Sequence, residues 1–393
     1  GNYRDKSIGA CTDCRFYWAK YRSGTISEDD LNTVQSSLCP TSGTCMVMGT
    51  ASTMACLTEV MGMMLPGGAT PLSGTGERLR HAAATGRQAV GLATSQYPRP
   101  LDIITKDTFH NMLTVLSAIS GSTNAVVHLI ALARRCKIPL PLEEFHKISQ
   151  NIPLCVNCKP AGLFYMEDFH KAGGVPTLLK ALQNELVPDT VNITGNTLND
   201  LLKTYREPQE WQSIIFDPNK PLGEKGAISV LYGSLAPNGA VIKRAAASRH
   251  LFHHKGPAAV FDSPEDIAGS IDDPDLQITP DHILVLRNAG PKACGMPEAG
   301  SLPIPKYLAE EGVKDMVRVS DARMSGTAYG TVILHCSPEA AAGGSLGIVK
   351  NGDEIELNLD KREINLNISK LEFNTRKKQW KPPPLPKRGW PRL

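Results

Sequence analysis

Cys39 and Cys45 are separated by Pro40, Thr41, Ser42, Gly43 and Thr44, and a helical pattern begins close behind them near Ala51. A glycine- and hydroxyl-rich turn feeding a helix presents backbone N–H groups and the positive end of the helix dipole. Such a turn favours a thiolate and suits the anionic sulfurs of an iron–sulfur cluster. On residue type alone, a buried cysteine pair in a capped loop explains the same letters, because two thiolates do not hold a cluster. Cys11-x-x-Cys14 and Cys155-x-x-Cys158 would make a four-thiolate zinc site if they met in space. The gap between the pairs is far longer than compact zinc modules use, so incidental core and loop cysteines explain them better.

Two further segments hold reactive side chains. Asp321-Ala322-Arg323-Met324-Ser325-Gly326-Thr327 lies between two expected strands, in a small-residue loop where functional groups often sit. A serine hydroxyl there becomes a base only if something stabilises its alkoxide, as a Lewis-acidic metal does; otherwise the Ser-Gly is a turn. Gly295-Met296-Pro297-Glu298 is a similar loop with one carboxylate, which alone reads as a solvated acid.

The elements that must carry these loops change character along the chain. In the first half, Met54, Leu57, Met61 and Met64 recur at helical spacing over Ala51 to Met64. Phe109 to Arg135 repeats that spacing with an interruption at Gly121-Ser122-Thr123. Met166 to Leu186 reads as two helices broken at Gly173-Gly174. In the second half, short apolar runs at Ile283 to Leu286, Met316 to Val319 and Thr331 to Leu334 read as strands. Ile348-Val349, Asn351-Gly352 and Ile355-Leu357-Leu359 give a hairpin signal, followed by alternation at Ile364, Leu366 and Ile368. The expected fold is an α/β first domain, incomplete at its start, followed by a β-rich, barrel-like second domain. The polar stretch from Thr204 to Glu224 suggests domains at 1–212 and 213–393, with the tail from Lys377 onward as an extended surface strap.

Composition excludes several function classes. A length of 393 residues with 41% apolar and 21% charged content fits a soluble protein of two domains. A net charge of +3 leaves no nucleic-acid footprint. Met46 to Leu65 has the length of a membrane span, but Glu59, Gly49 and Gly62 make it a buried helix. No secretory signal is visible, and ten irregularly spaced cysteines point to a reducing, intracellular compartment, cytoplasmic or mitochondrial. There is no Walker A pattern, no dinucleotide-binding glycine fingerprint and no H-E-x-x-H.

Taken together, the motifs closely resemble the dihydroxy-acid and 6-phosphogluconate dehydratase superfamily, on its sugar-acid (arabinonate- and xylonate-type) branch. The matching segments are CPTSGTCMVMGTASTMA (39–55), SGSTNAVVHLIALAR (120–134), GSLAPNGAVIK (233–243), DDPDLQITPDHILVLRNAGPKACGMPEAG (272–300) and DMVRVSDARMSGTAYGTVILHCSPEAAAGG (315–344). The resemblance implies a hydro-lyase that turns a 2,3-dihydroxy acid into a 2-keto-3-deoxy acid. It implies an iron–sulfur cluster, two-iron in preference to four-iron, and Mg2+. It makes Cys45 a cluster ligand, Glu298 a magnesium ligand, Ser325 the base, and Thr327 the residue that orients serine or substrate. It also implies a homo-oligomer acting on a small sugar acid, with no nucleic-acid or membrane partner. Family members place two further cluster cysteines, an Asp and a Lys in an earlier segment that has no counterpart here. The expectation is therefore a chain that begins partway through the first domain and does not dehydrate sugar acids by itself. A shortened, non-catalytic paralogue serving as a subunit is the competing reading.

Overall fold

The computed structural model describes residues 1–10, 12–39, 41–296, 302–324 and 330–384. They form two compact units, one of the described residues within 1–18 and 26–228, the other of residues 19–25 and the described residues from 229 on.

The first unit is dominated by helices: α1 (Thr12–Arg22), whose last residues group with the second unit, α2 (Glu28–Leu38), α3 (Thr50–Val60), α4 (Gly76–Ser95), α5 (Pro100–Ile103), α6 (Lys106–Ala118), α7 (Asn124–Arg135), α8 (Leu142–Ser149), α9 (Met166–Lys171), α10 (Gly174–Ala181) and α11 (Leu198–Leu202). Its strands are two short antiparallel pairs, β1 (Asn2–Tyr3) with β2 (Lys6–Ser7) and β3 (Pro153–Leu154) with β4 (Gly223–Lys225). Local chemistry sets the helix ends. Ser27 accepts the Asp30 N–H ahead of three acids in the first turn of α2, and Thr105 caps α6. α6 is buried from Phe109 to Ala118 except at His110, so its packing rather than its propensity holds it. The expected interruption after α6 has a steric cause: a Cβ on Gly121 would lie 2.6 Å from Leu116 Cδ1 and 2.8 Å from Thr53 Cγ2. The turn then docks on α3, with the Ser122 N–H donating to Thr53 Oγ1 at 3.0 Å and Asn124 Nδ2 to Thr50 Oγ1 at 2.9 Å.

The second unit is built on one eight-stranded sheet: β5 (Ser229–Leu231), β6 (Ala240–Ile242), β7 (His253–Phe261), β8 (Ile283–Leu286), β9 (Arg318–Ser320), β10 (Val332–Leu334), β11 (Glu354–Asn358) and β12 (Glu363–Leu366), in the order β12-β11-β7-β8-β9-β10-β6-β5. The four central strands run parallel and the flanking pairs antiparallel. Tyr232, just past β5, bridges to Glu363 of β12 and brings the two sheet edges together, so the sheet is a nearly closed barrel. Alternation along β8 shows why its run is continuously apolar: Ile283 and Val285 join the inner cluster with Ile242, Val319, Ile333 and Ile355. Leu284 and Leu286 join the outer cluster, with Ile267 of α12 (Pro264–Ser270) and Leu308 of α14 (Lys306–Glu310), α13 (Pro291–Cys294) lying between those helices in sequence.

Two expectations are corrected here. The Asn351-Gly352 turn does not pair β11 with a strand at Ile348-Val349, because Ile348 ends a 3-10 turn (Ser345–Ile348). The turn instead abuts β7, with Asn351 Oδ1 accepting the Val260 N–H at 2.6 Å, and β11 pairs with β7 and β12. Lys377 is not in an extended strap: α15 (Lys370–Gln379), capped by Ser369, includes it, and Arg376 is buried against Asp353 and Glu372. Among the described residues, no helix is long and apolar enough to cross a membrane.

Candidate active site

Cys45 is half-buried in the loop that precedes α3, five residues before the helix begins. Backbone bonds fix the residues after it: the Met48 N–H donates to the Lys159 carbonyl at 2.9 Å and the Met166 N–H to the Met46 carbonyl at 2.7 Å. Val47 and Met48 are fully buried. Upstream, Gly43 has a φ of 123°, and a Cβ there would lie 2.9 Å from Ser73 Cβ. Gly49 caps α3 without a side-chain bond, and the Thr53 N–H donates to its carbonyl at 2.9 Å.

The other thiols behave differently. Cys39 is exposed at the end of α2. Cys56, Cys155 and Cys158 are buried, and burial pushes their thiols up, that of Cys155 to about 12. They are core residues. Cys11 lies outside the described residues, so the zinc reading of the two Cys-x-x-Cys pairs gains nothing.

In the second unit, the parallel strands end in three loops that share buried anchors. Asp321, 1% exposed in the loop after β9, accepts the Ala289 N–H from the loop after β8 at 3.0 Å and the Ala340 N–H from beyond β10 at 2.9 Å. Burial holds its carboxyl above the usual range. Asn288 and His335, at the ends of β8 and β10, both have left-handed backbones, with φ of 60° and 58°; strained non-glycine backbones of this kind collect at functional loops.

Glu298, Ser325 and Thr327 lie outside the described residues. What is described is how their segments are anchored. On the upstream side, Arg323 Nε donates to the Met296 carbonyl at 2.6 Å, joining the chain two residues before Ser325 to the chain two residues before Glu298. On the downstream side, Arg318 Nη1 donates to the Leu302 carbonyl at 3.1 Å. Arg318 also pairs with Asp315 at 2.6 Å, and Asp315 accepts the Thr331 N–H and hydroxyl. A Cβ on Gly330 would strike this pair at 2.2 and 2.3 Å, so only glycine fits there. Lys243, closing the GSLAPNGAVIK segment, is buried, and desolvation lowers its amine to about 7. Asp315, Arg318, Asp321 and Lys243 all lie inside the motif segments, but no residue-type rule singled them out.

Among the described residues no three His, Cys, Asp or Glu side chains gather as a metal-binding group. On donor chemistry, Cys45 is suited to a cluster, but one thiolate does not make up a cluster site, and the carboxylate assigned to magnesium, Glu298, lies outside the described residues.

A barrel whose parallel strands end in loops tied by one buried carboxylate is a scaffold for binding at those strand ends. Comparison with known proteins agrees with that class and narrows it. The profiles described as dihydroxy-acid/6-phosphogluconate dehydratase N-terminal and C-terminal match residues 2–201 and 213–393. A protein of Rhizobium meliloti (strain 1021), whose provisional name is dehydratase IlvD1, is 44% identical over 98% of this chain and 66% of its own length. The L-arabinonate dehydratase of Rhizobium leguminosarum bv. trifolii (strain WSM2304) is 41% identical over 97% and 66%. The 6-deoxy-6-sulfo-D-gluconate dehydratase of Pseudomonas putida is 41% identical over 91% and 62%. The chain belongs to the dihydroxy-acid/6-phosphogluconate dehydratase family. It spans slightly under two thirds of the length of these relatives.

Proposed function

We propose that the chain carries the cluster loop and the barrel of a hydro-lyase that converts a 2,3-dihydroxy acid of the aldonate type into a 2-keto-3-deoxy acid. The relatives named for L-arabinonate and sulfogluconate support the sugar-acid class. The observation that carries the reading is the joining of the two motif segments by Arg323 and Met296, with Arg318 and Asp315 at their downstream ends. A base and a carboxylate that serve one substrate need such shared anchors.

In this reaction the C2–H and C3–O bonds break, water leaves, and the resulting enol tautomerises to the keto acid. Ser325 is assigned the C2 proton and Thr327 the orientation of that serine or the substrate. Cys45 and Glu298 are assigned to an iron–sulfur cluster and Mg2+ through the family resemblance. Bound there, those groups would supply Lewis acidity and neutralise charge developing on oxygen. An intracellular setting belongs to the same proposal, on the irregular spacing of the ten cysteines and the enzyme relatives.

The test is anaerobic reconstitution of the purified natural protein with iron, sulfide and Mg2+, followed by a keto-acid assay over pentonates and hexonates. Turnover that disappears in Ser325→Ala is expected. Turnover unaffected by that change overturns the base assignment, and no keto acid from any substrate favours the non-catalytic paralogue. Self-association belongs to the same proposal; a monodisperse monomer at micromolar concentration in sedimentation velocity would contradict it.

A further inference from the structure

Between α3 and α4 the chain runs as a strap, residues 65–75, and two charged side chains devote their polar atoms to its backbone. Glu59, 6% exposed near the end of α3, accepts the Gly67 N–H on Oε1 at 2.7 Å and the Ala69 N–H on Oε2 at 2.8 Å. Arg78, in the first turn of α4, donates from Nη1 to the Gly68 carbonyl at 2.8 Å and from Nε and Nη2 to the Pro71 carbonyl at 3.1 and 2.5 Å. Thr70 is held from another side by His170 Nδ1 at 3.0 Å. A carboxylate is costly to bring out of water, and a hydrogen bond to a surface turn would not need the buried Glu59; Arg78, half-buried, adds to it from the other side. Their combined effect is to fix one short stretch of backbone in one geometry.

That stretch leads directly to the Cys45 loop. Ser73 Oγ lies 3.2 Å from Ser42 Oγ, and Gly43 comes so close to Ser73 that a Cβ would meet it at 2.9 Å. The strap is therefore the surface against which residues 42 and 43 are set, two to three positions before the thiol.

We propose that Glu59 is a positioning residue for the Cys45 loop, acting through residues 67–73 and touching nothing that binds there. The relevance to a cluster rests on the proposed function; the mechanical link between strap and loop does not.

The experiment uses the full chain in three forms: wild type, Glu59→Gln and Glu59→Ala. Amide hydrogen exchange at Gly67 and Ala69 reads the clasp. Alkylation of Cys45 by iodoacetamide, expressed relative to exposed Cys39 in the same molecule and quantified by peptide mass, reads its consequence. Glutamine keeps the volume and one acceptor oxygen, so both signals should rise in the order wild type, Gln, Ala. Cys45 labelling should increase roughly three- to tenfold, the factor by which losing a hydrogen bond of ordinary net strength shifts a local opening. Buried Cys155 and Cys158 should stay unlabelled, which separates loop positioning from general loosening. Loss of protection at Gly67 and Ala69 with Cys45 labelling unchanged overturns the proposal. So does labelling of all three thiols together. If Glu59→Ala does not fold, the glutamine variant decides, and free exchange of Gly67 and Ala69 in wild type would sink the idea without any variant. Iron content of Cys45→Ser after reconstitution tests the ligand assignment separately: iron unchanged there would remove the cluster and leave the strap result standing.

Discussion

Glu59 and Asp321 are both buried carboxylates whose two oxygens accept backbone N–H groups, yet they organise different things. Glu59 closes on residues 67 and 69 of a single strap, eight and ten positions away in sequence. Asp321 reaches residues 32 and 19 positions away, on opposite sides of its own loop. The first fixes one loop against a helix; the second ties the ends of three parallel strands to one another. Stabilising one loop asks only that its own backbone be satisfied. Holding several loops in register requires a group that all of them share, and in the barrel Asp321 shares that task with Arg318.

The comparison breaks most visibly at Arg318. Arg318→Met would leave Asp315 buried without its cation, and the second unit should lose about 3–5 kcal/mol in denaturant unfolding. A loss under about 1 kcal/mol would mean that water reaches the pair. Asp321→Ala strands two buried N–H donors, and a loss of about 3 kcal/mol is expected, with faster amide exchange at both Ala289 and Ala340. Faster exchange at only one of them would show that the loops are held independently.

The smallest effect, and the one that sharpens the contrast, is the response to pH. Burial raises the Glu59 carboxyl from its ordinary 4.5 to about 7, against the two amide bonds that lower it. The folded state therefore holds that proton more tightly than the unfolded chain does. Its contribution is full below about pH 4.5 and is lost as pH rises through about 7, amounting to at most about 3 kcal/mol. Denaturant midpoints followed across that range should fall for wild type and flatten for Glu59→Gln. Asp321 is shifted in the same direction, so a residual slope in the glutamine variant belongs to the barrel.

How much of this the sequence announced depended on whether a residue's role was local. α3, α6 and α7 were legible because their apolar residues repeat at helical spacing, and the break at Gly121 because glycine in that setting marks a close approach. β8 was legible because both its faces are buried. α4 was missed: none of its residues is buried, and its outward side carries Leu79, Ala83, Gly86, Val90 and Ala93, so it lacks the polar–apolar contrast that marks a surface helix. Cys45 stood out through the turn around it. Glu59 registered only as an argument against a membrane span, and Arg318 and Asp321 only as letters within a matching segment, with no role of their own. Their partners are main-chain atoms brought near by the fold, and main-chain partners leave no trace in residue types.

Barrel closure governs when this unit can form. The seam joins Ser234 to Asn365 and Leu366, 131 and 132 positions away, through bonds of 2.9 and 2.8 Å. Chain entropy must be surrendered over that whole span before the seam returns anything, which slows folding relative to a unit held by nearby contacts. On the ribosome, β5 waits with an open edge until β12 has emerged. Until the two edges pair, that of β5 is available to any other extended chain, so the interval before closure is the one most exposed to aggregation.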